Sequence, residues 1–370
     1  MKKQAHTSSN VTRTEGSADG GTLEGKRTVG VLMGGIGPER EISLKTGEAI
    51  ATALEGRGHQ VVRIDVDRKL DETLRKTPID VAFLALHGTY GEDGCVQGML
   101  EMMGIPYTGS GVLASALAMD KLKAKELFRL YNLPTPPYYV VEKEELGKLE
   151  EMHGSFGFPV FVKPRRSGSS VGAGRATSMA ELRQRCEDAA KFDSSVLVER
   201  FVVGREVTVA VLDGRALGAL EIVPRGEFYD YKSKYQKGQS DYHLPARLPP
   251  TRYKGVLNLA ERAHKALGCR GFTRVDLLVT EGENEYVLEV NTLPGMTPLS
   301  LLPKIAQGAG YDFGDLCEQI LSRAALATPR EATPREQTPA TTASAPAARV
   351  ASHDASKKKH ARADAPPPAE

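Results

Sequence analysis

Short apolar runs that alternate with stretches of helical spacing are the feature that most narrows the folds open to this chain. Residues 28–33 read as a buried strand ending at Gly34-Gly35, and 43–54 have helical spacing behind a serine cap. Residues 60–66 and 81–86 read as two more strands, and a helix fits 96–103. Such alternation predicts a mostly parallel sheet whose ligand face lies at the carboxyl ends of its strands. The polar loops 34–41 and 87–94 follow strands directly and fall on that face. Residues 27–120 are therefore expected to form an N-terminal substrate-binding α/β domain.

Beyond this point the pattern changes towards α+β. A helix over 120–131 and a Pro-rich turn at 133–137 lead to a strand at 159–163, a helix at 180–191 and a strand at 196–199. Segments 206–211 and 216–222 alternate as a hairpin around Asp213-Gly214. A polar loop (224–245), an amphipathic helix (251–267), strands at 273–280 and 285–291, and helices within 299–326 complete the core. The expected divisions are 121–205 and 206–326. The ends read differently. Residues 1–26 are polar and rich in Gly, Ser and Thr, and 328–370 contain no Leu, Ile, Met, Phe or Tyr. Neither can bury enough surface to offset its ordering entropy, so 1–26 and 327–370 are expected to be disordered, the latter as a Pro/Ala-rich tail. A docking role for the basic tail is the alternative.

A net charge of +2 gives no reason to expect nucleic acid or an anionic membrane as partner. No apolar run approaches the roughly 20 residues of a spanning helix. Four scattered cysteines without a CxxC pair argue against a zinc site or a disulfide framework and favour a reducing cytoplasm.

Four segments carry candidate chemistry. Residues 281–284 are turn-rich, so the flanking strands should form an antiparallel hairpin with Asp276 opposite Glu289 and Arg274 opposite Asn291. These polar groups then share one face, while Val275, Leu277, Leu288 and Val290 point into a core. Two facing carboxylates beside a carboxamide suit Mg²⁺ carrying phosphates; a salt-bridge ladder with Arg274 paired to Glu289 is the competing reading. The Gly/Ser loop 163–174 follows an apolar strand that ends in Lys163, and it offers hydroxyls and close backbone approach over phosphate oxygens. It is neither a P-loop nor GxGxxG, and a plain linker remains open. Strand 196–199 with Arg200, Phe201 and Val202 could read an adenine edge, and Glu206 a ribose; plain core and surface roles are the alternative. The loop 226–235 concentrates three tyrosines and two lysines, either to serve a transferring phosphoryl group or as a solvated connector.

Together these elements resemble the D-alanine–D-alanine ligase family of the ATP-grasp superfamily, over roughly residues 28–325. The resemblance rests on MGGIGPEREIS (33–43), ALHGTYGEDGCVQG (85–98), PYTGSGVLASALAMDK (106–121), VKPRRSGSSVG (162–172), FYDYKSKY (228–235) and LEVNTLPGM (288–296). It implies an ATP-grasp fold, with an N-terminal parallel-sheet domain and two ATP-grasp subdomains. It implies joining of two D-alanines through an acyl phosphate, with ATP as substrate and two Mg²⁺ ions, for which Mn²⁺ can substitute. By the same resemblance Lys121 and Lys163 hold phosphates beneath a closing loop of Ser167, Gly168, Ser169, Ser170, Val171 and Gly172. Glu199, Arg200, Phe201 and Val202 surround the adenine, and Glu206 meets the ribose. Asp276, Glu289 and Asn291 bind the metal ions. Glu39 receives the first substrate's ammonium beside His87, and Ser169 and Tyr235 link to Glu39 to close the site. Lys234 meets the γ-phosphate and Arg274 the oxyanion, while Gly295, Ser300 and Leu301 frame the second carboxylate. Related D-lactate ligases usually lack a tyrosine at position 235, which favours the dipeptide product. A homodimer is the expected assembly. A D-lactate or D-serine ligase, and more remotely a non-catalytic ATP-binding protein, are the alternatives.

Overall fold

Three sheets carry the strands of the described chain. The computed structural model describes residues 25–168, 171–225, 240–282, 284–298 and 300–327. In the first sheet β1 (Thr28–Gly34) lies between β2 (Gln60–Val66) and β3 (Val81–Leu84), both parallel to it. Val29, Val31 and Leu32 are fully buried, as a strand covered on both faces requires. Helices α1 (Arg40–Gly56) and α2 (Leu70–Lys76) make the crossovers, followed by α3 (Cys95–Met103) and α4 (Val112–Met119). α1 begins three residues before the expected serine cap. Ser43 lies inside it, accepting the Gly34 N–H at 2.9 Å and donating to the Ala85 carbonyl at 2.7 Å. Its hydroxyl ties two strand ends together instead of capping.

Helix α5 (Lys121–Leu130), capped by the Asp120 side chain, leads into a second, antiparallel sheet of order β4-β7-β5-β6. Its strands are β4 (Tyr138–Glu142), β5 (Val160–Pro164), β6 (Gly174–Ala176) and β7 (Ser195–Arg200), with α6 (Leu149–His153) and α7 (Met179–Ala189) between them in sequence.

The third sheet has the order β10-β9-β8-β11-β12. β8 (Arg205–Leu212) and β9 (Arg215–Pro224) turn at Asp213 and Gly214, whose φ values of 53° and 72° are those of a type I′ hairpin. β10 (Ser240–His243), β11 (Phe272–Val279) and β12 (Glu285–Asn291) complete it. α8 (Pro250–Ala266) packs Val256, Leu259, Ala260 and Ala263 into one core with Val207, Val209, Val275 and Leu277. α9 (Leu301–Gly308) and α10 (Phe313–Leu321) join the core of the first sheet through Leu302, Ile305 and Ile320.

The β11–β12 register is the expected one at its open end, with Arg274 opposite Asn291 and Asp276 opposite Glu289. It then slips at a bulge, so that Leu277 faces Val287 and Leu288 is the extra residue. A bulge inverts the facing of the residues beyond it. Val287, not Leu288, is accordingly fully buried, which corrects the alternation expected from sequence.

Candidate active site

A cavity of about 860 Å³ opens where the three sheets' loops converge. Glu39, the last residue before α1, and His87, just beyond β3, line it from the parallel sheet. The Glu39 carboxylate packs against two glycines: a Cβ at Gly88 would come within 2.4 Å of its Oε2, and one at Gly168 within 3.4 Å. Gly88 also has a φ of 67°, so a side chain is excluded there twice over. His87 is half-buried, its pKa lowered to about 4 by loss of solvent first and by Arg274 in addition, and its Nε2 lies 3.3 Å from Thr46 Oγ1. Glu92, which sequence reasoning missed, lines the cavity and accepts the Gly88 N–H at 2.7 Å. Burial, then the neighbouring Glu39 charge, raise it to about 8. Its place in a polar loop directly after a strand was the available signal.

The flap base is pinned to the start of α5. Lys121 Nζ donates to the Ser167 carbonyl at 2.6 Å, its N–H to the Arg165 carbonyl at 3.2 Å, and Arg165 grips Asp120 with two hydrogen bonds of 2.7 and 2.6 Å. Lys121, Ser167 and Gly168 line the cavity. Lys163 lies off its wall, 2.9 Å from the carboxylate of Glu199, which a second lysine, Lys125, approaches at 2.6 Å. Burial alone would neutralise Glu199, but the two ammonium groups outweigh it and hold the carboxyl below its ordinary range. Lys125 is fully buried and lowered to about 8 by that burial. It too was missed, although a lysine in the apolar stripe of α5, between Ala124 and Phe128, was a readable sign.

Arg200, Phe201, Val202, Glu206, Val171 and Gly172 are not among the residues that line the cavity. Arg200 donates to the Phe156 carbonyl, and the Phe201 N–H donates to that of Pro159 at 3.1 Å. Val202 and Val171 are half-buried, and Glu206 sits on β8 opposite Leu278 and Ile222. At Gly172 a Cβ would meet the Phe192 ring at 2.7 Å. Ser169, Ser170, Lys234 and Tyr235 fall outside the described residues.

On the hairpin, Arg274 holds Asp276 in a fork of 2.9 and 2.7 Å, so the guanidinium is tied to a carboxylate on its own strand. Asp276 also accepts from Thr208 Oγ1 at 2.6 Å and from Asn291 Nδ2 at 3.1 Å. Arg274, Glu289 and Asn291 line the cavity, whereas Asp276, opposite Glu289 in the register, is not among the residues that line it. At the far end Ser300 occupies the N-cap position of α9, its Oγ bonded to the Thr297 N–H at 3.0 Å and to Thr297 Oγ1 at 2.8 Å. Gly295 leaves it room, since a Cβ there would stand 2.9 Å from that Oγ. Leu301 opens the helix, whose first N–H groups lack intrahelical partners and favour an anion. Lys45, Ser240, Tyr242 and Lys304 also line the cavity and were not foreseen.

Models of the D-ala D-ala ligase N-terminus and C-terminus match residues 66–110 and 127–322. A D-alanine--D-alanine ligase of Geotalea uraniireducens is 53% identical over 300 residues, covering 81% of this chain and 96% of the relative. A D-alanine--D-alanine ligase of Bacillus anthracis, solved in complex with ATP, aligns with a TM-score of 0.69 at 36% identity over 80% of this chain and 97% of its own. The VanG D-Ala:D-Ser ligase of Enterococcus faecalis aligns with a TM-score of 0.72 at 29% identity, over 81% and 99%. The chain has the ATP-grasp fold and belongs to the D-alanine–D-alanine ligase family.

Proposed function

We propose that this chain uses ATP to join two D-alanine molecules into D-alanyl-D-alanine, the dipeptide of peptidoglycan precursors. The observation that carries the reading is the meeting of Glu39, Arg274 and the start of α9 in one cavity, beside Lys121 and the flap base. That set offers a carboxylate for an ammonium, a guanidinium for an oxyanion, helix N–H groups for a carboxylate and a cation for phosphate.

The first D-alanine sets its ammonium against Glu39, with the uncharged His87 beside it. Its carboxylate oxygen attacks the γ-phosphorus, the bond to ADP breaks, and an acyl phosphate results. Lys121 holds phosphate beside the flap base; Lys163 and the rest of the 167–172 loop at the phosphates, Glu199, Arg200, Phe201 and Val202 at the adenine, and Glu206 at the ribose are assigned by family resemblance. The second D-alanine rests its carboxylate on Ser300 and the Leu301 N–H, framed by Gly295. Its free amine attacks the acyl carbon, Arg274 steadies the oxyanion, and inorganic phosphate leaves as the amine gives up its proton. Water must be kept out because an acyl phosphate hydrolyses. Ser169 and Tyr235, linked to Glu39, and Lys234 at the γ-phosphate are assigned to that closure by family resemblance.

Asp276, Glu289 and Asn291 fit Mg²⁺, since two carboxylates and an amide oxygen from facing strands form a hard-donor set. Two such ions, or Mn²⁺ in their place, would screen the phosphate charge. The relatives at 53% identity are D-alanine ligases by name, against 29% for the D-serine ligase, so D-alanine is the second substrate we assign. A homodimer is the assembly we assign by family resemblance. No helix among the described residues is long and apolar enough to cross a membrane. The four cysteines are free thiols, which agrees with a reducing cytoplasm as the place of work.

Phosphate release from ATP and Mg²⁺ should require D-alanine, and mass analysis should find the dipeptide even with D-lactate and D-serine competing. Equal release with L-alanine, or none with D-alanine, would overturn the assignment.

A further inference from the structure

One cation reaches the anion-favouring end of the cavity from within α9 itself. Lys304 lies four residues beyond the N-cap Ser300. Helical side chains lean towards the N-terminus, so a residue at this spacing stands over the first turn. Its Nζ sits 4.3 Å from the centre of the Tyr242 ring, and both side chains line the cavity. The ring face steadies the ammonium but supplies no counter-charge, and burial lowers its pKa. The Ser300 hydroxyl, which also contacts Thr297, is neutral and brings no charge to that end. Two residues from Tyr242, Ser240 is only 8% exposed, lines the same cavity, and its Oγ has no hydrogen-bond partner among the described residues. An unpaired buried hydroxyl is costly, and an acceptor arriving in the cavity relieves that cost.

We propose that Lys304 and Ser240, with the N-terminus of α9, form a clamp that makes a free carboxylate obligatory on the second amino acid. The inference rests on the ligase reading above and adds the residues that enforce its specificity. One ammonium, one hydroxyl and a helix end match the charge and the two oxygens of a single carboxylate. A triphosphate needs more cations, and Lys121 stands with the flap base, on a different segment. Tyr242 is the positioning residue, holding the ammonium at the helix end.

The test uses the full chain with ATP, D-alanine as acyl donor, and either D-alanine or D-alaninamide as acceptor, with products resolved by mass. The unaltered chain should strongly prefer D-alanine. Lys304→Met should raise the KM for acceptor D-alanine about tenfold or more, the range for a charged hydrogen bond, and shrink the preference over the amide. The KM for ATP should stay within about twofold, and Lys304→Arg should restore most of the preference. Ser240→Ala should move the same quantities in the same direction by less. An undiminished preference for the carboxylate in Lys304→Met, or a rise in the KM for ATP instead, would overturn the proposal. If Lys304→Met fails to fold, Lys304→Gln is read by the same two criteria. Absence of D-alanine-dependent phosphate release in the unaltered chain would defeat the ligase reading, independently of any Lys304 variant.

Discussion

The ammonium of Lys125 lies 2.6 Å from the carboxylate of Glu199, and neither side chain has meaningful contact with solvent. Removing one partner of such a buried pair leaves an uncompensated charge, which typically costs about 3–5 kcal/mol. Lys163 remains on the other oxygen of Glu199 and shares that burden. Lys125→Met should therefore lose about 3 kcal/mol in urea denaturation. Lys125→Met combined with Glu199→Gln should lose less than the two single changes added together. Additive losses would mean that the two groups do not interact.

His264 is 3% exposed, bonded through Nδ1 to Thr273 Oγ1 at 2.8 Å, and burial lowers its pKa to about 4. Between that value and the unfolded value near 6.5 only the unfolded chain takes up the proton, so stability falls as pH drops through this window. The chain should be about 2 kcal/mol less stable at pH 5 than at pH 7 on account of this one residue. His87, also near 4, acts in the same direction. Urea curves at both pH values should show the difference shrink by a comparable amount in His264→Gln. An unchanged difference would remove His264 from the account.

How much of this was readable in the sequence varies with the range of the interaction. The hairpin pairing of Asp276 with Glu289 follows from a local turn and alternation, and it holds until the bulge beyond Asp276. Nothing in composition marks that bulge, since the residues on either side of Leu288 read as an ordinary strand. Ser43 looked like a helix cap because the residues alone do not reveal that Gly34 and Ala85 compete for its hydroxyl. Lys125 and Glu92 were overlooked for a related reason: each matters through a partner, Glu199 or Gly88, distant in sequence or unremarkable by type. Local geometry was legible, whereas third-party contacts were not.

Gly88→Ala should cripple turnover without unfolding the protein. The added Cβ would stand 2.4 Å from Glu39 Oε2 at a φ of 67°, so the carboxylate proposed to hold the ammonium must move. A displacement of that size at a positioning group costs on the order of 100-fold in kcat/KM. Phosphate-release kinetics with D-alanine, set beside a circular dichroism spectrum, decide the matter; activity near that of the unaltered chain would show that Glu39 does not need its present place.

Arg165→Ala separates nucleotide binding from amino-acid binding. Its fork on Asp120, at 2.7 and 2.6 Å, fastens the strand-to-flap turn to the start of α5, from which Lys121 reaches Ser167. The pair is partly exposed, at 16% for each side chain, so its loss should loosen the flap without unfolding the sheet. The KM for ATP should rise about tenfold, while those for D-alanine change little. Equal rises in both would mean that the anchor supports the whole cavity rather than the flap.

Asp276→Asn tests the metal assignment and the hairpin together. The carboxylate now takes four hydrogen bonds, two from Arg274 and one each from Thr208 and Asn291. An amide is nearly the same shape but carries no charge, so Arg274 loses its counter-ion and the donor set loses one of its two carboxylates. Turnover should fall by at least about 100-fold, in line with the loss of a group that stabilises developing charge. Chelation of divalent cations should silence the unaltered enzyme, and added Mg²⁺ should revive it. The two effects can be told apart by titrating Mg²⁺: a role in metal binding shifts the midpoint to higher concentration, whereas a role only in orienting Arg274 lowers the plateau and leaves the midpoint in place. A variant with full turnover and an unshifted midpoint would remove Asp276 from both roles.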